Sequence, residues 1–128
     1  MNPKIRALCQ TWLDAVNQGR IEDVLALYSP DAVLLPTFSG SIRRNSESRR
    51  DYFQQLASRP GLCVSLHEKT LVGSFSGSLA TASGIYRWDM EVDGEPLGFE
   101  ARFSLALDLH SSAPILHHHS SQVPRDLS

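Results

Sequence analysis

The stretch FEARFSLALDL, residues 99–109, decides the fold of this chain of 128 residues. Its two faces differ in polarity, since Phe103, Leu105, Leu107 and Leu109 alternate with Arg102, Ser104, Ala106 and Asp108. A period of two with one apolar face is typical of a β-strand that packs one side against a core. The sequence therefore predicts a long strand here, with residues 103, 105, 107 and 109 buried.

Segments on either side of this strand share its period of two. Residues 62–66, 79–90 and 115–121 also alternate in polarity. An Asp-Gly pair at 93–94 is typical of a tight hairpin turn, here between the strand 79–90 and the strand 99–109. The second half of the chain is therefore predicted to form an antiparallel meander.

The first half of the chain follows a helical period instead. Apolar residues recur at helical spacing over 5–16 and 21–28, and a third helix is predicted to begin within 45–48 and to stop before Pro60. A short strand is predicted at 32–36. The sequence thus predicts an α+β fold, with three N-terminal helices packed on one face of a curved, mainly antiparallel sheet. Residues 1–128 form a single domain in this prediction, and 122–128 form a loose tail.

Composition excludes several classes of protein. Twelve basic residues against fourteen acidic ones give a net charge of −2, which disfavours binding to nucleic acid through its phosphates. No apolar run approaches the length of a membrane span, and the first six residues lack the apolar stretch of a signal peptide. Cys9 and Cys63 are too few for a disulfide scaffold. These features favour a cytoplasmic protein that binds neither nucleic acid nor membrane.

Four short motifs resemble a known superfamily. They are AVNQG at 15–19, RDYFQQL at 50–56, YRW at 86–88 and HHHSSQVP at 117–124. In order and spacing the chain resembles the SnoaL-like, nuclear-transport-factor-2-like superfamily. Within it, the chain is most similar to the association domain of calcium/calmodulin-dependent protein kinase II and its bacterial relatives. The resemblance covers about residues 8–124.

The resemblance implies a cone-shaped fold, a homodimer or a larger homo-oligomer, and a pocket under the helices. Members of the superfamily include a steroid isomerase, polyketide cyclases, an epoxide hydrolase and non-catalytic oligomerisation modules. Fold alone therefore does not name the function. No cofactor is expected from the resemblance.

Arginines carry the ligand-binding expectation. Ten of the twelve basic residues are arginine, which suits carboxylate recognition. In the kinase association domain, pocket arginines bind small carboxylates, and those on the long strands match Arg87 and Arg102 here. The last-strand position falls on Ser120 and the helix position on Arg49. An ion pair of Arg87 or Arg102 with a nearby carboxylate is the structural alternative.

A second group of arginines, 43, 44, 49 and 50, surrounds the predicted start of the third helix. Acidic residues alternate with them, which is typical of a solvated helix start, and recruitment of an anionic partner is the alternative. Only Arg49 of this group is carried over to the pocket by the resemblance.

The triplet His117, His118 and His119 is the other candidate feature. On a strand, His118 faces opposite to its two neighbours and shares a face with Ser120. If Ser120 faces the pocket, His118 is a candidate general acid or base. Cross-strand or interface hydrogen bonds are the alternative. No third ligand accompanies the two histidines of the other face, so no metal site is expected.

No complete catalytic set is visible in the sequence. Steroid-isomerase chemistry needs a carboxylate base, whereas the first strand offers Leu34, Leu35 and Thr37. Tyr52 is expected to line the pocket with its polar end. The leading hypothesis is a homo-oligomeric domain whose arginine-lined pocket binds a small organic anion. The alternatives are a SnoaL-like isomerase, cyclase or hydrolase, and a non-catalytic oligomerisation module.

Overall fold

The computed structural model describes residues 2–127. Its helices and strands follow in chain order: α1 Pro3–Asn17, α2 Ile21–Ala26, β1 Tyr28–Leu35, α3 Ser46–Ala57, β2 Cys63–Leu66, β3 Val72–Ser76, β4 Leu79–Val92, β5 Glu95–Asp108 and β6 Ile115–Gln122. A single 3₁₀ turn, Glu68–Thr70, separates β2 from β3. The three N-terminal helices and the predicted meander are both present, so the predicted α+β class is confirmed.

The sheet has the order β1-β6-β5-β4-β2, with β3 pairing the first part of β4. β1 runs parallel to β6, and the other pairs are antiparallel. β4 and β5 form a long hairpin, and its turn residues Asp93 and Gly94 both have positive φ, 52° and 81°. Two successive positive φ values are those of the turn that an Asp-Gly pair favours.

The helices cover one face of the sheet and bury its apolar side chains. Phe103, Leu105 and Leu107 of β5 are buried there, as the alternation of residues 99–109 predicts. Asn17, the last residue of α1, holds the helix to β2. Its side-chain amide donates to the Val64 carbonyl at 2.8 Å, and its carbonyl oxygen accepts from the Val64 amide at 2.7 Å.

The element boundaries differ from the prediction in two places. α2 ends at Ala26 and β1 already begins at Tyr28, whereas the sequence favours a helix to about 29 and a strand from 32. β3 is absent from the prediction because all five of its residues are exposed, which removes the alternation that marks a strand. Within residues 2–127, no helix is both long and apolar enough to cross a membrane.

Candidate functional site

An open groove of about 990 Å³ lies between α3, the loop that precedes it, and the hairpin end of β4 and β5. We call it the mouth groove. Its walls include Thr37, Phe38, Arg43, Tyr52, Arg59 and Phe99. Two arginines and no acidic side chain line this groove, in a chain whose net charge is −2. The groove is therefore a local positive site on a slightly acidic protein.

Arg43 is positioned by the loop and by α3. One of its η nitrogens donates to the Ser39 hydroxyl at 2.9 Å, and the other donates to the Ser48 carbonyl at 3.1 Å. Its guanidinium carbon lies 5.7 Å from the centre of the Tyr52 ring, which is a cation–π distance. Its buried Nε has no hydrogen-bond partner among the described residues. Each η nitrogen carries a second N–H, so part of the donor capacity of Arg43 is open to a ligand in the groove.

Beneath the groove, a hydrogen-bonded series of side chains runs into the core. We call it the polar column, and its members are Trp12, Tyr28, His118, Tyr86, Ser120 and Thr37. Thr37 also lines the mouth groove, so the polar column reaches from the core to the candidate site.

The hydrogen bonds of the polar column begin at Trp12 in the core. Trp12 Nε1 donates to the Tyr28 hydroxyl at 3.1 Å, and that hydroxyl lies 2.8 Å from His118 Nδ1. His118 Nε2 lies 3.4 Å from the Tyr86 hydroxyl, which donates to Ser120 Oγ at 2.6 Å. Ser120 in turn contacts the Thr37 hydroxyl.

His118 is buried within this column, with 3% of its surface exposed. Burial lowers the pKa of His118 to about 3, and the neighbouring His117 and His119 add to the effect. Burial also raises the pKa of Tyr28 and Tyr86 above that of an ordinary phenol. At neutral pH the column therefore consists of neutral groups that hydrogen-bond to one another.

The interior itself holds little free space. Two cavities of about 20 and 10 Å³ border His118, Trp12 and Tyr86. Such volumes accommodate about one water molecule each. Among the described residues, the buried side chains include no Asp or Glu. A buried carboxylate base of the steroid-isomerase kind is therefore missing from the described core.

Arg49, which the resemblance assigns to the pocket, is instead bound to the backbone. It is 2% exposed, and its η nitrogens donate to the carbonyls of Ala32 at 2.7 Å and Ser29 at 3.2 Å. These carbonyls lie where the pairing of β1 with β6 is irregular, between Tyr28 and Val33. Burial lowers the pKa of Arg49. Arg49 thus stabilises β1 and lines neither the mouth groove nor the interior cavities.

The structure also corrects the expected placement of Arg87 and Arg102. Both side chains are exposed on the outer face of the sheet, the face that the helices leave uncovered. Arg87 pairs with Asp89 at 3.1 Å and with Glu100 at 3.5 Å, which is the structural alternative named above. Arg102 lies on a separate outer groove beside His119. They do not converge inside the cone, because the neighbouring residues on each strand take the inward positions.

The candidate residues of β6 lie where the predicted alternation puts them. His118 and Ser120 are buried, whereas His117 and His119 are exposed. Tyr52 is 7% exposed and lines both the mouth groove and the smaller cavity. Sequence reasoning missed Arg43 and Arg59 as groove residues. Both lie near the ends of α3, where no periodicity indicates the direction of a side chain.

The fold agrees with the comparisons with known proteins. The SnoaL-like domain family matches residues 5–126 of the chain. Three helices on a mostly antiparallel open sheet are the architecture of the nuclear-transport-factor-2-like, cystatin-like fold. The chain belongs to the SnoaL-like domain family.

Three solved structures illustrate the likeness. A putative calcium/calmodulin-dependent protein kinase II association domain from Xanthomonas campestris has 26% identity and a TM-score of 0.83, over 95% of this chain and 87% of that one. A nuclear-transport-factor-2-like protein with a cystatin-like fold from Novosphingobium aromaticivorans has 13% identity and a TM-score of 0.77, over 97% of this chain and 82% of that one. A cystatin-like-fold protein from Caulobacter vibrioides has 18% identity and a TM-score of 0.78, over 95% of this chain and 89% of that one. No curated protein matches the chain significantly.

Proposed function

We propose that this SnoaL-like domain binds a small organic anion in the mouth groove, with Arg43 and Arg59 as its cationic partners. The observation that carries the proposal is the charge of the groove, which has two arginines and no acidic side chain. A carboxylate fits the planar, multiply donating guanidinium better than it fits an ammonium group.

The walls of the groove favour a ligand with an apolar body. Phe38 packs edge-on against Phe99, with ring centroids 5.3 Å apart, and against Trp88 at 5.6 Å. Met90 and Val92 of β4 continue this apolar wall. An aromatic or aliphatic carboxylic acid would place its body on these rings and its charge towards the arginines.

A direct test is the binding of benzoate, measured by calorimetry and by the rise of the melting temperature with ligand concentration. We expect binding in the native chain and a loss of about tenfold or more in affinity in the double variant Arg43→Gln/Arg59→Gln, since charge-assisted bonds are lost. If neither benzoate nor other small carboxylates give a calorimetric signal or raise the melting temperature, the proposal is refuted.

A matched control separates the groove from the outer face of the sheet. The double variant Arg87→Gln/Arg102→Gln removes the same number of positive charges from the strand positions. We expect it to bind benzoate with native affinity, because both side chains lie outside the groove. A loss of binding in this variant and not in the first would assign the anion to the outer face instead.

We further propose that the outer face of the sheet associates with a second copy of the chain. Small uncharged side chains occupy its centre, including Thr81 and Ser83 of β4 and Ser104 of β5. Exposed apolar side chains flank them, with Val72 61% and Leu79 51% exposed. Arg87 and Arg102 lie on the same face, but an exposed sheet surface with small and apolar side chains is typical of a self-association surface. The Xanthomonas relative is itself described as an association domain.

The mass of the particle in solution, measured by light scattering during gel filtration, tests this association. We expect at least a dimer for the native chain and a monomer for Ser104→Glu, which puts a charge at the centre of the face. The control Thr11→Glu places the same charge on the exposed side of α1 and should leave the mass unchanged. A native monomer would refute the proposal.

A further inference from the structure

Three side chains that can donate hydrogen bonds line one small cavity. Thr37, Tyr52 and Trp88 all border the 10 Å³ space beneath the mouth groove. Trp88 is 1% exposed, and its indole N–H, which is a donor only, has no acceptor within residues 2–127. Leaving a buried donor unsatisfied costs free energy, so such a group is usually explained by an absent acceptor.

Tyr52 adds a second donor to the same space. Its oxygen accepts from the Phe38 amide at 3.4 Å, which leaves its hydroxyl proton able to donate. The rings of Trp88 and Tyr86 lie edge-to-face with their centroids 5.3 Å apart, and both border the cavity.

The polar column leads to the third donor, Thr37. The Trp12 indole can only donate, so the Tyr28 oxygen accepts from it and the Tyr28 proton passes to His118 Nδ1. His118 is neutral, so the remaining ring proton is on Nε2 and faces the Tyr86 oxygen. The opposite tautomer would leave the Tyr28 proton and the Nε2 lone pair buried without partners.

From Tyr86 the same order continues towards the groove. Tyr86 donates to Ser120, which is 5% exposed, and the hydroxyls of Ser120 and Thr37 are hydrogen-bonded, with either one as the donor. When Ser120 donates, the Thr37 proton is free to bond a ligand. Thr37 lies on the wall of the mouth groove, so its hydroxyl is the end of the column that a ligand reaches.

We infer that Thr37, Tyr52 and Trp88 form a site for a single acceptor oxygen, a carbonyl or carboxylate oxygen of the molecule in the mouth groove. The inference rests on the proposed function and adds the functional group that the groove recognises. A space of about 10 Å³ matches one oxygen atom rather than a larger group. Thr37 and Tyr52 line both the cavity and the groove, so a ligand in the groove contacts both hydroxyls.

The two tryptophans provide a direct readout. The chain contains Trp12 and Trp88 alone, so a ¹⁵N-labelled sample gives two indole N–H signals, which Trp88→Phe assigns. The probes are acetophenone, which has a carbonyl oxygen and no charge, and ethylbenzene, which has nearly the same shape and no oxygen. We expect acetophenone to shift the Trp88 indole proton downfield, and ethylbenzene to leave it in place. The Trp12 signal, already hydrogen-bonded to Tyr28, should not shift.

Affinities of variants give a second readout. Removal of one donor by Thr37→Val or Tyr52→Phe should weaken acetophenone binding by about five- to tenfold and leave ethylbenzene binding unchanged. Thr11→Val makes the same chemical change on the exposed side of α1 and should alter neither affinity. The use of two variants keeps the test valid if one of them folds poorly.

The outcomes separate this site from the anion proposal. If acetophenone binds without shifting the Trp88 indole, and both variants bind it with native affinity, the oxygen site is wrong, and benzoate binding alone decides the proposed function. If acetophenone shifts the Trp88 indole and benzoate does not bind, the oxygen site stands and the anion proposal is wrong. If neither molecule binds, both are wrong.

Discussion

Arg43 and Arg49 lie on either side of the start of α3, and their surroundings are alike in two respects. Each guanidinium lies 5.7 Å from the centre of a tyrosine ring, that of Tyr52 for Arg43 and that of Tyr28 for Arg49. Each also has a buried Nε without a hydrogen-bond partner among residues 2–127. Their difference lies in what the η nitrogens bind.

The η nitrogens of Arg49 bind only fixed backbone carbonyls of β1, whereas Arg43 also binds the side-chain hydroxyl of Ser39. A carbonyl within a buried strand has no replacement donor, so Arg49 is committed to the fold. A loop hydroxyl can be replaced by a ligand oxygen without unfolding the chain. The comparison teaches that the partners of a guanidinium, and not its proximity to a pocket, separate a structural arginine from a binding one.

The largest expected effect comes from Arg49. Arg49→Met should lower the free energy of unfolding by about 3 kcal/mol or more, because it leaves the buried Ala32 carbonyl and the part-buried carbonyls of Ser29 and Pro30 without this donor. Arg43→Met should lower it by about 1 kcal/mol or less, since its partners remain close to water. Urea unfolding of both variants measures the difference. Equal losses would break the distinction between the two arginines.

In the polar column, the committed side chain is that of His118. Its burial predicts that the free energy of unfolding depends on pH. Its pKa is about 3 in the folded chain, against about 6.5 when unfolded. Its contribution to stability is therefore complete above about pH 6.5 and is lost as the pH falls towards 3, by about 1.4 kcal/mol per unit. From about pH 6.5 to 5, the native chain should lose about 2 kcal/mol through this group.

Urea unfolding at about pH 7, 6 and 5 measures this slope. His118→Gln should flatten it over that range, whereas His119→Gln, which changes an exposed residue of the same strand, should preserve it. A slope that persists in His118→Gln would show that another group binds the protons.

Period-two alternation predicted much of this structure correctly. It predicted the core face of β5, and it put His118 and Ser120 on the face opposite to His117 and His119. The reason is physical, since a strand that packs one face must bury every second residue. Where one strand lacks a buried face, as β3 does, the same rule gives no signal.

The same alternation argues against the placement that the resemblance gave to Arg87 and Arg102. Tyr86 and Trp88 share the face opposite to Arg87, and burial of two aromatic rings outweighs burial of one charge. Arg102 likewise alternates with Phe103. The groove residue Arg43 could not be predicted, because it lies in a loop where the side-chain direction depends on tertiary contacts.

The smallest expected effect concerns the ion pairs of Arg87 with Asp89 and Glu100. It tests whether these exposed ion pairs contribute to the free energy of unfolding at all. The guanidinium of Arg87 lies over Gly98, and a methyl group added at Gly98 would collide with it. Gly98→Ala should displace the flexible end of Arg87 from Asp89 and Glu100 while leaving the backbone in place. Exposed ion pairs contribute little, so the urea midpoint of Gly98→Ala should match that of Arg87→Gln and stay close to the native one.

Gly84 provides the contrasting substitution on the same strand pair. A methyl group there would lie 3.1 Å from the ring of Phe103, which is buried and cannot swing into solvent. Gly84→Ala should therefore lower the midpoint clearly more than Gly98→Ala does. If Gly98→Ala instead destabilised the chain as much as Gly84→Ala, the Arg87 pairs would be structural, and the outer face would hold a committed arginine like Arg49.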